Sequence, residues 1–235
     1  MPCVRDLNPT FPSFVEINNA ESFAAAAPLV LWGTEDFLAA GTERAGGSKL
    51  YTVCGAVKNP GVYEAPHHIT AAGFLEMAGG PVEGQEVKGF QIGGGATGSF
   101  GSRAQMDTVL DYAGCREKGL ALGTAGIYYI AEQESVAQLA LKSINFLKGQ
   151  SCGLCTVCRD GLEELSDRLT QLCGGKGTER TLTEIESLCD YLARGARCAL
   201  GQASPTAVVT ARKAFPEEFE ALCGKEAELY GYSQL

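Results

Sequence analysis

Three cysteines recur at every third position of SCGLCTVCR, as Cys152, Cys155 and Cys158. Thiolates are soft metal ligands, and three on one tight loop can converge on one side. A fourth ligand must then come from elsewhere in the chain. A [4Fe–4S] cube offers four iron corners, and a C-x2-C-x2-C run with one remote cysteine meets that demand. Structural zinc more often takes two separated C-x2-C pairs or a mixture of Cys and His. Iron–sulfur chemistry is therefore the leading reading, with zinc as rival and coincidental packing of cysteines as the plain alternative.

The ten cysteines less these three leave seven candidates for the fourth position. Cys198 lies in RCALG, at a break between two predicted helices, where a side chain can turn inward. Cys173 and Cys189 sit on apolar helix faces, as core residues do. Cys54 is mid-strand, Cys3 and Cys115 fall in irregular stretches, and Cys223 ends the last predicted helix. Pattern favours Cys198 without excluding the rest.

Composition narrows the function classes. The formal charge of −9 argues against nucleic acid, whose phosphates demand clustered Lys and Arg. The only two histidines are the adjacent His67 and His68, read as a solvated turn after Pro66. His-based catalysis has little to work with, and no catalytic residue is assigned. No stretch reaches 18 consecutive apolar residues, so no membrane insertion is expected. MPCVRDLNPTFPSF has no apolar signal-peptide core, which makes a cytoplasmic, reducing setting the default.

The elements that must position the cysteines follow from pattern. Residues 1–14 are Pro-rich and read as an extended lead-in. Residues 18–40 read as helical, broken at Pro28, with Thr34 as an N-cap and Gly41 as a stop. LYTVCGAV (50–57), the KNPG turn and VYEA form a hairpin. A helix over 69–80, a strand over 88–92, a Gly-rich loop and a strand over 126–132 complete a unit shaped like a β-grasp. Helices are then expected over 135–149, 160–175, 181–194 and 206–222, the last bent near Pro216. Leu162, Leu165, Leu169 and Leu172 share one face, as do Leu182, Ile185, Cys189 and Leu192. Thr181 and Glu184 read as a capping box. The fold class is thus α+β: a ubiquitin-like β-grasp followed by a small antiparallel helical bundle.

FLKGQSCGLCTVCRDG, followed forty residues after Cys158 by CALG and then FPEEFEA, resembles the C-terminal cluster domain of the NADH-binding flavoprotein subunit of respiratory complex I. The diaphorase subunits of NAD-linked hydrogenases and formate dehydrogenases share that module. GTERAGGSKLYTVCGAVKNPGVYEAP is similar to the family's soluble-ligand-binding β-grasp (SLBB) segment, and VEINNAESFA to the segment entering it. The resemblance covers essentially the whole chain. It implies three parts: a lead-in over 1–48, an SLBB β-grasp over 49–133 and a [4Fe–4S]-binding helical bundle over 134–235. It also selects Cys198 as the fourth ligand of one [4Fe–4S] cluster.

The same resemblance implies an electron-transfer subunit of a multisubunit NAD(P)H-, hydrogen- or formate-linked oxidoreductase, relaying single electrons through its cluster, with other subunits such as a [2Fe–2S]- or flavin-carrying chain as partners. The family's FMN- and NADH-binding Rossmann-like half has no match here, so FMN and NAD are not expected on this chain alone. Asn18 and Asn19 match a flavin-contacting motif of the family and stand as candidate FMN contacts or as helix-cap residues. The run from Gly93 to Gly98 satisfies G-x-G-x-x-G, but the polar SFGSRAQMD after it does not open a nucleotide-binding helix. Two other roles stay open. One is a docking module whose cluster lies off the electron path; the other is one half of a split flavoprotein. Gly149-Gln150 replaces the family's His-Glu, and Val157 its Pro. Loss of a carboxylate there is expected to raise the cluster potential, which a redox titration of Gln150→Glu reads as a downward shift. Arg159 is either a partner of the anionic cluster or a solvated helix-start arginine.

Overall fold

A computed structural model of the chain describes residues 18–94 and 98–224. The expected lead-in over 1–14, Cys3 and the middle of the Gly-rich loop (95–97) lie outside the described residues.

The chain enters through α1 (Ala20–Trp32) and α2 (Thr34–Ala39). Helix α1 passes through Pro28 unbroken, contrary to the expected break. Its Ala-rich sequence favours helix on both sides of the proline, and no residue of α1 is buried, so the carbonyl that Pro28 leaves unbonded faces water. Thr34 is the first residue of α2 rather than its cap, and Gly33 takes the cap position.

Five strands follow: β1 (Ser48–Gly55), β2 (Gly61–Pro66), β3 (Val87–Ile92), β4 (Ser99–Ser102) and β5 (Gly126–Ala131). They form one sheet in the order β2-β1-β5-β3-β4. The β1–β2 pair is the expected hairpin, in register at Tyr51 and Tyr63. β1 runs parallel to β5, while β3 is antiparallel to both β4 and β5. Sequence pattern misses β4, because SFGS reads as loop until β3 pairs with it. Helices α3 (Ala71–Met77) and α4 (Tyr112–Glu117) lie between strands, and α4 too is short enough to escape periodicity.

After β5 the chain is helical: α5 (Val136–Gln150), α6 (Thr156–Gln171), α7 (Glu179–Gly195), α8 (Ala199–Ala203), α9 (Thr206–Ala214) and α10 (Pro216–Ala221). The apolar stripes fall as expected, with Leu162, Leu165 and Leu169 buried on α6 and Leu182, Ile185, Cys189 and Leu192 on α7. Helix α7 starts earlier than the sequence signal suggests. Its capping box is Thr178 with Thr181, and Glu184 instead pairs with Arg168 and Arg180. The last helix divides at Phe215, next to the expected bend.

Period-two alternation sends β5 into two cores. Ile127 and Tyr129 join Tyr51, Val53, Phe74, Phe90 and Leu110 on one side of the sheet. Ile130 joins Phe100 and the inward faces of the helices on the other. Inside the first core Tyr51 Oη donates to the Leu110 carbonyl (2.6 Å) and Tyr129 Oη to that of Ala71 (2.7 Å), so neither hydroxyl is stranded. The helical layer is fastened to the sheet by polar contacts. The Phe100 N–H donates to Thr210 Oγ1 (2.9 Å). Glu218 accepts from Lys88 Nζ (3.1 Å), Ser135 Oγ (2.9 Å) and the Ala137 N–H (3.1 Å), which joins α10 to β3 and to the start of α5.

Candidate metal centre

Two chain breaks in the helical layer meet at one end. The first separates α5 from α6. Ser151 leaves the helix in extended conformation (φ −64°, ψ 132°), and the chain turns at Gly153, whose φ of +74° lies in the left-handed region that suits glycine. Cys155 holds the N-cap position of α6, and Cys158 lies inside its first turn. Ser151 Oγ accepts from the Gly153 N–H (3.3 Å) and contacts Cys158 Sγ (3.4 Å), so one hydroxyl ties the loop to the buried thiol.

The second break separates α7 from α8. Cys198 takes the N-cap position of α8 in extended conformation (φ −135°, ψ 167°). Gln202 Nε2 donates to the Ala196 carbonyl (2.9 Å) and holds this turn closed. Helix α8 then lies directly on Cys158. A Cβ added to Gly201 would fall 2.5 Å from Ala196 Cβ and 3.3 Å from Cys158 Sγ, so the approach requires a residue without a side chain.

The four predicted ligands therefore share one site, at graded depth. Cys158 is 5% exposed, Cys155 is half-buried, and Cys152 and Cys198 are exposed. Burial pushes the Cys158 thiol up, and the neighbouring Cys155, Cys198 and Cys152 push it further, against the hydrogen bond to Ser151. The Cys155 thiol is held below its usual range by the backbone N–H groups of Arg197 and Cys158 and by the Arg197 charge.

Of the remaining described cysteines, Cys115, Cys173 and Cys189 are buried packing residues, Cys223 is half-buried and Cys54 is exposed. Burial pushes Cys115, Cys173 and Cys189 up to about 12, which leaves them protonated. Cys54 faces the Ile127 carbonyl (3.7 Å) and Cys223 that of Phe219 (3.6 Å). All nine described cysteines are free. The donor set at the site is four thiols without imidazole or carboxylate, which fits an iron–sulfur cube in type and number. Among the described residues, no three His, Cys, Asp or Glu side chains converge as a single-ion site needs.

Other candidates fall elsewhere. Asn18 and Asn19 are exposed at the start of α1, where the Asn19 side chain caps the helix by accepting from the Glu21 N–H (2.8 Å). Arg159 is engaged by Asp160 (2.7 Å) and by the Gly153 carbonyl (3.1 Å). His67 is buried, contrary to the solvated turn expected of it, and its Nδ1 has no partner among the described residues. Ser151, Arg197, Gly201 and Gln202 are absent from the sequence-based candidates. Only their adjacency to Cys152 and Cys198 hinted at them.

Two family models and several curated relatives match the chain. Residues 138–222 match the family model of the NADH-ubiquinone oxidoreductase-F iron–sulfur binding region, and residues 50–99 match the SLBB domain. The F 2 subunit of the NADH-quinone oxidoreductase of Rhizobium meliloti is 33% identical over 223 residues, covering 92% of this chain and 53% of the relative. The HndC subunit of the NADP-reducing hydrogenase of Solidesulfovibrio fructosivorans is 29% identical over 206 residues, covering 87% of this chain and 42% of the relative. A crystal structure of an NAD+-reducing [NiFe]-hydrogenase in the H2-reduced state superposes with a TM-score of 0.79 at 22% identity, over 95% of this chain and 38% of its own, which establishes the shared fold. The chain spans about half the length of the curated relatives it matches. Its family matches are to the SLBB domain and to the iron–sulfur binding region.

Proposed function

We propose that this chain, an SLBB β-grasp joined to an NADH-ubiquinone oxidoreductase-F type iron–sulfur region, is an electron-transfer component of a multisubunit NAD(P)H-linked oxidoreductase. Cys152, Cys155, Cys158 and Cys198 hold one [4Fe–4S] cluster. The single observation that carries the reading is the seating of the Cys198 turn on buried Cys158, which unites residues forty positions apart with their two loop neighbours. A donor set of four thiols in a C-x2-C-x2-C run with one remote cysteine favours a cube with four iron corners over zinc, which more often takes two separated C-x2-C pairs or a mixture of Cys and His.

When bound, the cluster supplies one-electron storage. The protein's part is to hold four thiolates, to shield Cys158 from water and to donate N–H groups to Cys155. No side chain is asked to move a proton. The working units of this reading are the lead-in over 1–48, the β-grasp over 49–133 and the cluster-binding helices over 134–235, in a reducing, cytoplasmic setting. Its partners are other subunits of a redox complex carrying a flavin or a [2Fe–2S] cluster. Anaerobic purification with natural partners, followed by EPR and flavin analysis, tests it. Loss of the reduced-state signal in Cys158→Ser and Cys198→Ser supports the assignment, and a signal that persists in both variants sinks it.

One observation favours the split-flavoprotein variant of this reading. Helix α1 buries nothing, and Val30, Leu31 and Trp32 are 83%, 78% and 62% exposed. Apolar residues exposed in this way at the end of a helix are suited to a covering surface, such as that of a flavin-bearing unit. Flavin that co-purifies with the wild type but not with Leu31→Asp/Trp32→Asp supports this variant; equal flavin in both removes it.

A further inference from the structure

Three arginines lie around the cysteine loops, and two of them are neutralised. Arg159 pairs with Asp160 (2.7 Å) and Arg194 with Asp190 (2.6 Å). Arg197 is different. It stands between Ala196 and Cys198, is exposed, and has no carboxylate partner among the described residues. Its place is nevertheless fixed, because the turn that carries it is closed by Gln202 on the Ala196 carbonyl and packed against Cys158 through Gly201. Cys198 follows it directly in the chain, and the helix that this turn opens packs on Cys158. In a chain of net charge −9, the one uncompensated cation of the turn therefore stands next to Cys198, on the turn that leads onto Cys158.

We infer that Arg197 is a positioning residue that sets the redox poise of the site, its unpaired guanidinium favouring the reduced cluster. The inference rests on the cluster assignment above. Reduction adds one electron from an external one-electron donor, breaks no bond and moves no proton, and raises the negative charge of the four-thiolate assembly by one. A nearby cation stabilises the more negative state, so the midpoint potential rises. Because Arg197 is exposed, screening makes the effect modest and salt-dependent. Its paired neighbours contribute less, since Asp160 and Asp190 cancel their charge at short range.

The test is an EPR-monitored redox titration, with dithionite as reductant, of the full chain as purified. The proteins compared are the wild type, Arg197→Lys, Arg197→Gln and Arg197→Glu, with iron content measured on each. The expected order of midpoints is wild type level with Arg197→Lys, then Arg197→Gln lower, then Arg197→Glu lowest. Added salt narrows the spread. An Arg197→Lys midpoint as low as that of Arg197→Gln means shape rather than charge is responsible and overturns the inference. Coincident midpoints in iron-replete proteins also overturn it and leave the cluster assignment standing. A wild type without iron overturns both.

Discussion

Cys158 is the thiol with least freedom among the four, pinned by Ser151 on one side and covered by α8 on the other. Removing its sulfur should remove the cluster while leaving the helices folded. Cys158→Ser is expected to lose most of the bound iron. Cys189→Ala, in the helical core, is expected to keep it and to lose about 1 kcal/mol of stability, the scale of a small side-chain truncation. Iron analysis alongside urea unfolding separates the two, and equal iron loss in both variants contradicts the assignment. At this scale the sequence was partly transparent. Cys152, Cys155 and Cys158 are readable because their spacing is local. Cys198 needed the family resemblance, since nothing in RCALG alone says which loop it faces. Ser151, Arg197 and Gly201 matter only through contacts made after folding, and no spacing rule marks them.

Elements are held in place here by a few polar fasteners. Glu218 is the main one, linking α10 to Lys88 of β3 and to the first turn of α5. Glu218→Ala strands a nearly buried lysine and two donors, and is expected to cost about 3 kcal/mol, seen as a lowered urea midpoint. A cost near zero would mean the seam is held by apolar packing alone. The end of β2 carries a pH-sensitive element. Burial, with the Lys49 charge, holds His67 below its usual value. The folded state therefore prefers neutral His67, and the unfolded chain binds more protons once pH falls below about 6.5. Stability is fully present above that pH and is lost as pH drops toward the folded value. His67→Gln is expected to flatten this limb in a pH series of thermal midpoints; an unchanged slope assigns the acid sensitivity elsewhere. The helices α5, α6 and α7 were legible because their apolar residues recur at helical spacing over three or more turns. Three of the short elements were not. β4, α4 and α8 span four to six residues and exist because tertiary partners select them.

The whole molecule is one sheet shared by two cores, with β5 contributing to both. That arrangement couples the β-grasp to the helices that carry the four candidate ligands, of which Cys152 and Cys198 are exposed. No helix among the described residues is long and apolar enough to cross a membrane. Helix α1, with its exposed Val30, Leu31 and Trp32, lies on the β-grasp side, attached to the sheet through Glu21, which accepts from Lys49 and from the Leu50 N–H (2.8 Å). The α+β class and the order of its two main parts were readable from hydrophobic periodicity. The two-sided use of the sheet was not, because the partner of each face lies far along the chain. The most direct test of the central claim is metal and sulfide analysis of the anaerobically purified chain, with EPR after reduction. A four-cysteine cluster site predicts about four irons and four acid-labile sulfides per chain and a reduced-state EPR signal. Zinc without iron, in a protein that stays EPR-silent on reduction, would contradict it.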